Sequence, residues 1–269
     1  MADVDREQNF VPFETVFRSF QLGFLRLVLA DLAARELVCA AREFKTSPRQ
    51  NIDGHPHREA LTHLDHVTDL ELDVFLYMEA TSHLVYATSV LDSFLTDTTR
   101  FLFSLFPHSM GRNQVVPVKA VLEATSRTAL INEAISKRVR EIGFQPFLER
   151  IQFLRRTFRL ELTLNDETVQ ALQTYATVRN AIVHDQSTHD VTMSEGGAIE
   201  VIQKACLRHP RSINPESLEG AQRAYLETAM AIYVAVAKTV FKRTENPRES
   251  ELMKLYEEFF GRCRDKSDA

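Results

Sequence analysis

The stretch from Arg179 to His184, Arg-Asn-Ala-Ile-Val-His, lies near the end of a segment whose pattern favours a helix. The segment opens with Asn-Asp-Glu-Thr at residues 165–168, where polar residues suited to helix capping precede an apolar pattern. These features predict a helix over about residues 166–185. Its apolar face is expected to contain Val169, Leu172, Ala176 and Val183.

The same stretch brings together an arginine, an amide and an imidazole, three groups suited to phosphate chemistry. Asn180 and His184 are four residues apart, so on a helix they lie one above the other. Arg179 and His184 are five residues apart, which places them about 140° apart around the helix axis. A site that uses both residues therefore needs a groove lined by the helix, or a second copy of the helix.

The spacing alone is weak, because the arginine and histidine content gives about one Arg-x4-His match by chance. A second match, Arg58 and His63, does exist, but it has Glu59 after the arginine. The asparagine at position 180 and the helical setting make the match at Arg179 more specific.

The Arg-Asn-x3-His pattern resembles the signature of the HEPN superfamily, small α-helical proteins of prokaryotic defence and toxin systems. The polar residues 185–187 follow the motif as in many members. The earlier segment Leu-Asp-Ser-Phe-Leu, residues 91–95, is similar to the family's first core helix, which often carries an acidic residue facing the motif. Asp92 would hold that position. The resemblance covers about residues 70–245.

This resemblance implies a metal-independent endoribonuclease that works as a homodimer in a prokaryotic defence or toxin–antitoxin system. Arg179, Asn180 and His184 would be catalytic, and the 2′-hydroxyl of RNA would be the nucleophile. Possible supporting residues are Asp92, Asp185 and His189. The alternative is a non-catalytic scaffold that binds a nucleotide or a partner protein, such as an antitoxin or a defence complex. In that case His184 is a helix-end histidine favoured by the dipole.

Charge is distributed unevenly along the chain, although the net charge is only −5. Residues 65–99 contain seven acidic side chains and no lysine or arginine. Residues 137–159 contain seven basic and two acidic side chains, so this segment could dock RNA. The alternative is a solvated helical face that pairs with the acidic segment. The residues predicted to bind RNA are Arg138, Arg140, Arg150, Arg155, Arg156 and Arg159.

Composition favours a cytoplasmic protein with no membrane span. The three cysteines form no metal-binding spacing, which fits a reducing compartment, and the acidic start does not resemble a signal peptide. The longest apolar run, Ala229 to Ala237, is too short to cross a bilayer and predicts a helix buried all round or at a subunit interface. No metal or cofactor is expected, because the histidines clustered over residues 55–66 match no standard site.

The predicted fold is all-α: a HEPN-like bundle of long helices with an N-terminal helical extension and one small β-hairpin after the motif helix. With 18 phenylalanines and no tryptophan, phenylalanine should dominate the core. The predicted domains are 1–68 (long helix and polar loop), 69–245 (bundle) and 246–269 (C-terminal helix and tail). The predicted helices are 13–44, 69–106, 118–142, 145–158, 166–185, 215–243 and 248–262, with the hairpin at 188–207.

Overall fold

The computed structural model describes residues 3–46, 66–111, 121, 124–185, 215–244 and 254. This part of the chain contains six α-helices and no strand, which confirms the all-α prediction. The β-hairpin at 188–207 and, apart from the helical Lys254, the helix at 248–262 lie outside the described residues. The helices are α1 (Asp3–Thr46), α2 (Asp69–Leu105), α3 (Arg127–Gly143), α4 (Phe147–Phe158), α5 (Asp166–Asp185) and α6 (Pro215–Val236). A 3-10 turn (Pro107–Met110) follows α2, and a π-helical turn (Ala237–Phe241) extends α6.

The two longest helices, α1 and α2, pack side by side in opposite directions. Near the start of α1, Phe13 stacks on Phe101 at 5.4 Å between ring centroids, whereas at its end Lys45 pairs with Asp69 at 2.9 Å. The buried residues of α1 up to Val28 belong to the main core. The end of α1 and the start of α2 share a separate small cluster formed by Val38, Ala41 and Leu72. The part of α1 after Val28 and the start of α2 around Leu72 therefore form a two-helix extension, which we call the arm.

Phenylalanines dominate the core, as the composition predicts. Those of α1 contact one another and also rings from other helices, and Phe17 stacks on Tyr233 of α6 at 4.1 Å between centroids. Aromatic rings supply large apolar areas and pack well at such separations. The buried phenylalanines are Phe10, Phe13, Phe17, Phe20, Phe24, Phe94, Phe103, Phe158 and Phe241.

Helix α6 runs through the centre of the bundle. Ala229, Ile232 and Val236 are fully buried, which confirms that the apolar run from Ala229 to Ala237 is a helix buried on nearly every side. The segment Leu218–Phe241 is long and apolar enough to cross a membrane by length and composition alone, and 67% of its most apolar window is buried inside the bundle. A single such helix is a weak indication, because core helices of soluble proteins have the same properties.

Two predicted helices differ from the structure. Helix α1 was predicted to start at residue 13 but begins at Asp3, so it contains Pro12 although proline lacks an N–H donor. Phe10, in the same helical turn as Pro12, packs on Phe241 with 5.1 Å between ring centroids. The helix predicted over 118–142 is interrupted: Val121 is helical, but residues 124–126 are not, and α3 begins at Arg127, where the Ser126 hydroxyl accepts a hydrogen bond from the Ala129 N–H at 3.1 Å.

The predicted division of the chain at residue 68 separates α1 from α2, and it stays a prediction. The structure shows that both helices contribute to the same core, with Phe20 of α1 lying 5.1 Å from Phe94 of α2 between ring centroids. The N-terminal helix is therefore part of the bundle as well as of the arm.

Candidate active site on the fifth helix

The motif helix α5 has the predicted boundaries and is held against α6. Its start is capped by Asn165, whose side-chain oxygen accepts a hydrogen bond from the Thr168 N–H at 2.6 Å. The Thr168 hydroxyl in turn donates to Glu227 of α6 at 2.8 Å. Further along, Tyr175 lies against Gly220, which comes earlier in α6, so α5 and α6 run in opposite directions.

The buried face of α5 is centred on Leu172 and differs from the predicted face. Tyr175, Val178 and Ile182 pack against the core, whereas Val169, Ala176 and Val183 are only partly covered. Arg179 is four residues after Tyr175 and so lies on this inner face. The prediction missed Tyr175, since an aromatic residue with a polar end is ambiguous in an apolar pattern.

The side chain of Arg179 bends from the inner face toward the exposed Asn180. Its Nη1 donates a hydrogen bond to the Asn180 Oδ1 at 3.0 Å. The Nε atom is shielded from solvent and has no hydrogen-bond partner within the described part of the chain. Asn180 is 100° further around the helix and one turn before His184, so this contact carries the guanidinium toward the side of the helix on which position 184 lies.

Two phenols, the buried Tyr225 and the partly buried Tyr175, lie near Arg179. The Tyr225 hydroxyl is 3.1 Å from the Thr88 Oγ1 of α2, and burial raises the pKa of Tyr225 to about 12, an effect that Thr88 and, more weakly, the positive charge of Arg179 oppose. Burial also raises the pKa of Tyr175. Both phenols therefore stay neutral at ordinary pH and give Arg179 no negative partner. The sequence signal for Tyr225 was its place on the apolar α6.

Asp92 pairs with Arg150 of α4. The two side chains form a short ion pair, and Arg150 also donates through Nη2 to the Asp92 carbonyl at 3.1 Å and to the Thr96 Oγ1 at 2.9 Å. Arg150 is only 1% exposed, so its guanidinium is not available to RNA, and the prediction that Arg150 binds RNA is wrong. The expected role of Asp92 beside the motif stays a prediction.

The remaining predicted RNA-binding arginines fall into two groups along α3 and α4. Phe147 at the start of α4 and Arg179 near the end of α5 both lie beside Tyr225, so these two helices run in opposite directions. Arg140, in the last turn of α3, is thus at the motif end of the bundle. Arg138 is partly buried, pairs with Glu141 at 2.9 Å and lies over the Phe153 ring. The exposed Arg155, Arg156 and Arg159 are toward the other end of α4.

Several predicted site residues lie partly or wholly outside the described structure. The backbones of His184 and Asp185 form the end of α5, but their side chains are outside the described part, as is the whole of His189. Among the described residues, no three His, Cys, Asp or Glu side chains form a group able to hold a metal ion.

Comparison with known proteins gives no relative: no family model, curated protein or solved structure matches the chain. The function must therefore be argued from the motif and from the geometry around Arg179.

Proposed function

We propose that the chain is a metal-independent endoribonuclease of HEPN type. The observation that carries the proposal is the hydrogen bond from the Arg179 Nη1 to the Asn180 Oδ1 at 3.0 Å. On a bare helix, Arg179 and His184 diverge by about 140°, and this contact reduces the divergence by drawing the guanidinium around the helix. The arrangement is consistent with one phosphate being approached by both groups.

The chemistry needs only groups that RNA and this motif supply. A neutral imidazole at position 184 removes the proton from the 2′-hydroxyl, and the 2′-oxygen attacks the adjacent phosphorus. Arg179 stabilises the additional negative charge on the phosphoryl oxygens. An imidazolium then gives a proton to the departing 5′-oxygen. The products are a 2′,3′-cyclic phosphate and a 5′-hydroxyl, and DNA is inert because it has no 2′-hydroxyl.

A homodimer suits this mechanism, because the attacking 2′-oxygen and the departing 5′-oxygen lie on opposite sides of the phosphorus in an in-line displacement, where one imidazole does not reach both. Two copies of α5 facing each other would supply one imidazole in each state, with Arg179 of either copy on the phosphate. The wider setting that we propose is a cytoplasmic defence or toxin–antitoxin system, in which an antitoxin or another partner protein controls the nuclease.

The test is RNA cleavage by purified protein in the presence of EDTA. Arg179→Ala and His184→Ala should each reduce cleavage at least 100-fold, on the order of the loss expected for a transition-state donor or an acid–base group. Arg100→Ala is the matched control, because Arg100 is an exposed arginine that, within the described part of the chain, pairs only with Asp97 of its own helix. The proposal fails if both motif variants cleave RNA as fast as the wild type does.

A second candidate function is a non-catalytic interaction module, and one surface favours it. A groove of about 440 Å³ lies between α1 and α2, lined by residues that include Leu22, Gly23, Tyr86 and Val90. Leu22 and Tyr86 are exposed there. The run from Ala229 to Ala237, by contrast, is buried and offers no docking surface. Light scattering decides between the candidates: a strict monomer that does not cleave RNA favours the module.

A further inference from the structure

The turn between α3 and α4 carries the most exposed large apolar side chain in the described part of the protein. Phe144 is 84% exposed and packs against neither core cluster. It adopts helical backbone angles directly after the last residue of α3, and the turn is closed by the Gln145 N–H, which donates to the Ile142 carbonyl at 2.9 Å. The short turn therefore presents the phenyl ring to solvent.

This ring is close to the motif. Phe144 precedes Phe147 by three residues, so their Cα atoms are at most about 11 Å apart. The ring of Phe147 lies 6.4 Å from that of Tyr225, and the positive charge of Arg179 acts on the Tyr225 phenol. Phe144 and Arg179 are therefore at the same end of the bundle, where a single RNA strand of a few nucleotides could contact both.

The surroundings of Phe144 favour an anionic ligand. Arg140 lies one helical turn earlier, is exposed and has no acidic partner among the described residues. No side chain caps the start of α4, where Pro146 holds the N-cap position, so the first N–H groups of that helix remain open to an acceptor. Two carboxylates are also near, but Glu141 is paired with Arg138, which leaves Glu149 as the opposing charge.

We propose that Phe144 is a stacking platform for a base of single-stranded RNA, with Arg140 contacting the adjoining phosphate. The inference rests on the proposed function and specifies how the substrate reaches the motif. Aromatic side chains bind unpaired bases by stacking, and arginines beside them hold the backbone. A protein partner fits less well, since Phe144 is flanked by the exposed polar Arg140 and Gln145 and not by a continuous apolar patch.

The absence of tryptophan from the sequence makes the test direct. Phe144→Trp places a single indole at the turn, and Leu70→Trp places one at an exposed position in the arm. Both variants also carry His184→Ala to prevent cleavage. Each is titrated with unlabelled single-stranded RNA while tryptophan emission is followed, and binding of a fluorescein-labelled copy is measured separately by anisotropy.

Stacking predicts that RNA quenches Trp emission in the first variant and leaves the second unchanged. Phe144→Ala should weaken RNA binding about tenfold, whereas Leu70→Ala should not.

If anisotropy shows that RNA binds but the emission of neither indole changes, Phe144 is not a stacking platform and the proposed nuclease function is unaffected. If no RNA binds at all, both are overturned. Quenching at position 144 in a protein whose parent does not cleave RNA supports the platform and removes only the nuclease. Binding of RNA that is unaffected by Phe144→Ala also overturns the platform.

Discussion

The hydroxyl of Tyr175 on α5 lies so close to Gly220 on α6 that no Cβ atom fits between them. A Cβ placed on Gly220 would be 2.5 Å from the Tyr175 hydroxyl oxygen, and the next nearest atom, the Tyr175 Cζ, would be 3.6 Å away. The first distance is a clash and the second is an ordinary contact. An alanine at position 220 therefore requires the Tyr175 side chain to move.

Gly220→Ala should destabilise the protein by about 1–3 kcal/mol, because the added methyl group forces Tyr175 to move. Tyr175→Phe removes the clashing oxygen, so the double variant Gly220→Ala/Tyr175→Phe should recover most of the loss. The measurement is the free energy of unfolding from urea titrations of the single and double variants.

Gly143→Ala serves as the control for that pair. A Cβ at Gly143 would meet nothing within 4 Å, so this change should be neutral or slightly stabilising. Equal losses from alanine at positions 143 and 220, or no recovery in the double variant, would show that the Tyr175 contact does not limit the packing.

The ion pair between Asp92 and Arg150 should respond asymmetrically to removal of either partner. Asp92 is 51% exposed, whereas the Arg150 side chain is 2% exposed. Asp92→Ala leaves a buried cation without its counter-charge and should cost about 3–5 kcal/mol. Arg150→Met leaves a carboxylate that water can solvate and should cost less, about 1–2 kcal/mol. Urea unfolding of both variants gives the ranking, and a larger loss for Arg150→Met would contradict it.

The extent of α5 could be predicted from the sequence, but the burial of Arg150 in this ion pair could not. The boundaries of α5 follow from local signals, Asn165 as a cap and helical spacing after it, and the structure agrees. Local signals could not show that Arg150, in a basic segment, is the buried residue while Arg155 and Arg156 face solvent, since that depends on how α4 packs on α2. The start of α1 was misjudged for a similar reason: tertiary packing of Phe10 outweighs the local effect of Pro12.

The start of α2 should lose stability in acid. The Thr68 backbone N–H and its hydroxyl bond to the Glu71 carboxylate, and these bonds lower the pKa of Glu71 from its ordinary 4.5. Because the pKa of Glu71 is lower in the folded state, its carboxylate contributes stability that is present above pH 4.5. This stability is lost as the pH falls through the pKa of the folded state. The protection factors of the amides at residues 69–72, which compare the observed exchange rate with the intrinsic rate at the same pH, should therefore fall as the pH drops below 4.5 in the wild type. Glu71→Gln keeps the hydrogen-bonding shape but cannot titrate, so its protection factors should depend less on pH; identical pH profiles would contradict the prediction.

The centre of the bundle should weaken in alkali. Burial raises the pKa of Tyr225 from 10.0 to about 12. The stability that the folded state gains from the neutral phenol is therefore fully present below pH 10 and is lost as the pH rises toward 12. Tyr225→Phe removes this titration together with the hydrogen bond to Thr88, at a cost of about 1 kcal/mol near neutral pH. The stability gap between wild type and variant should narrow between pH 10 and 12, as measured by urea unfolding, and a constant gap would refute the assignment.

The stacking of Phe13 and Phe17 on Tyr233 joins the first helix of the chain to the last one described. During synthesis the ribosome releases α1 long before α6 exists, so the earliest aromatic residues have no ring to meet on the final helix. Pairing of α1 with α2 can shelter Phe13, which stacks on Phe101, but the ring partners of Phe10 outside α1 are Tyr233 and Phe241, which are synthesised much later. We therefore expect the nascent chain to expose apolar rings of α1 until α6 has been synthesised.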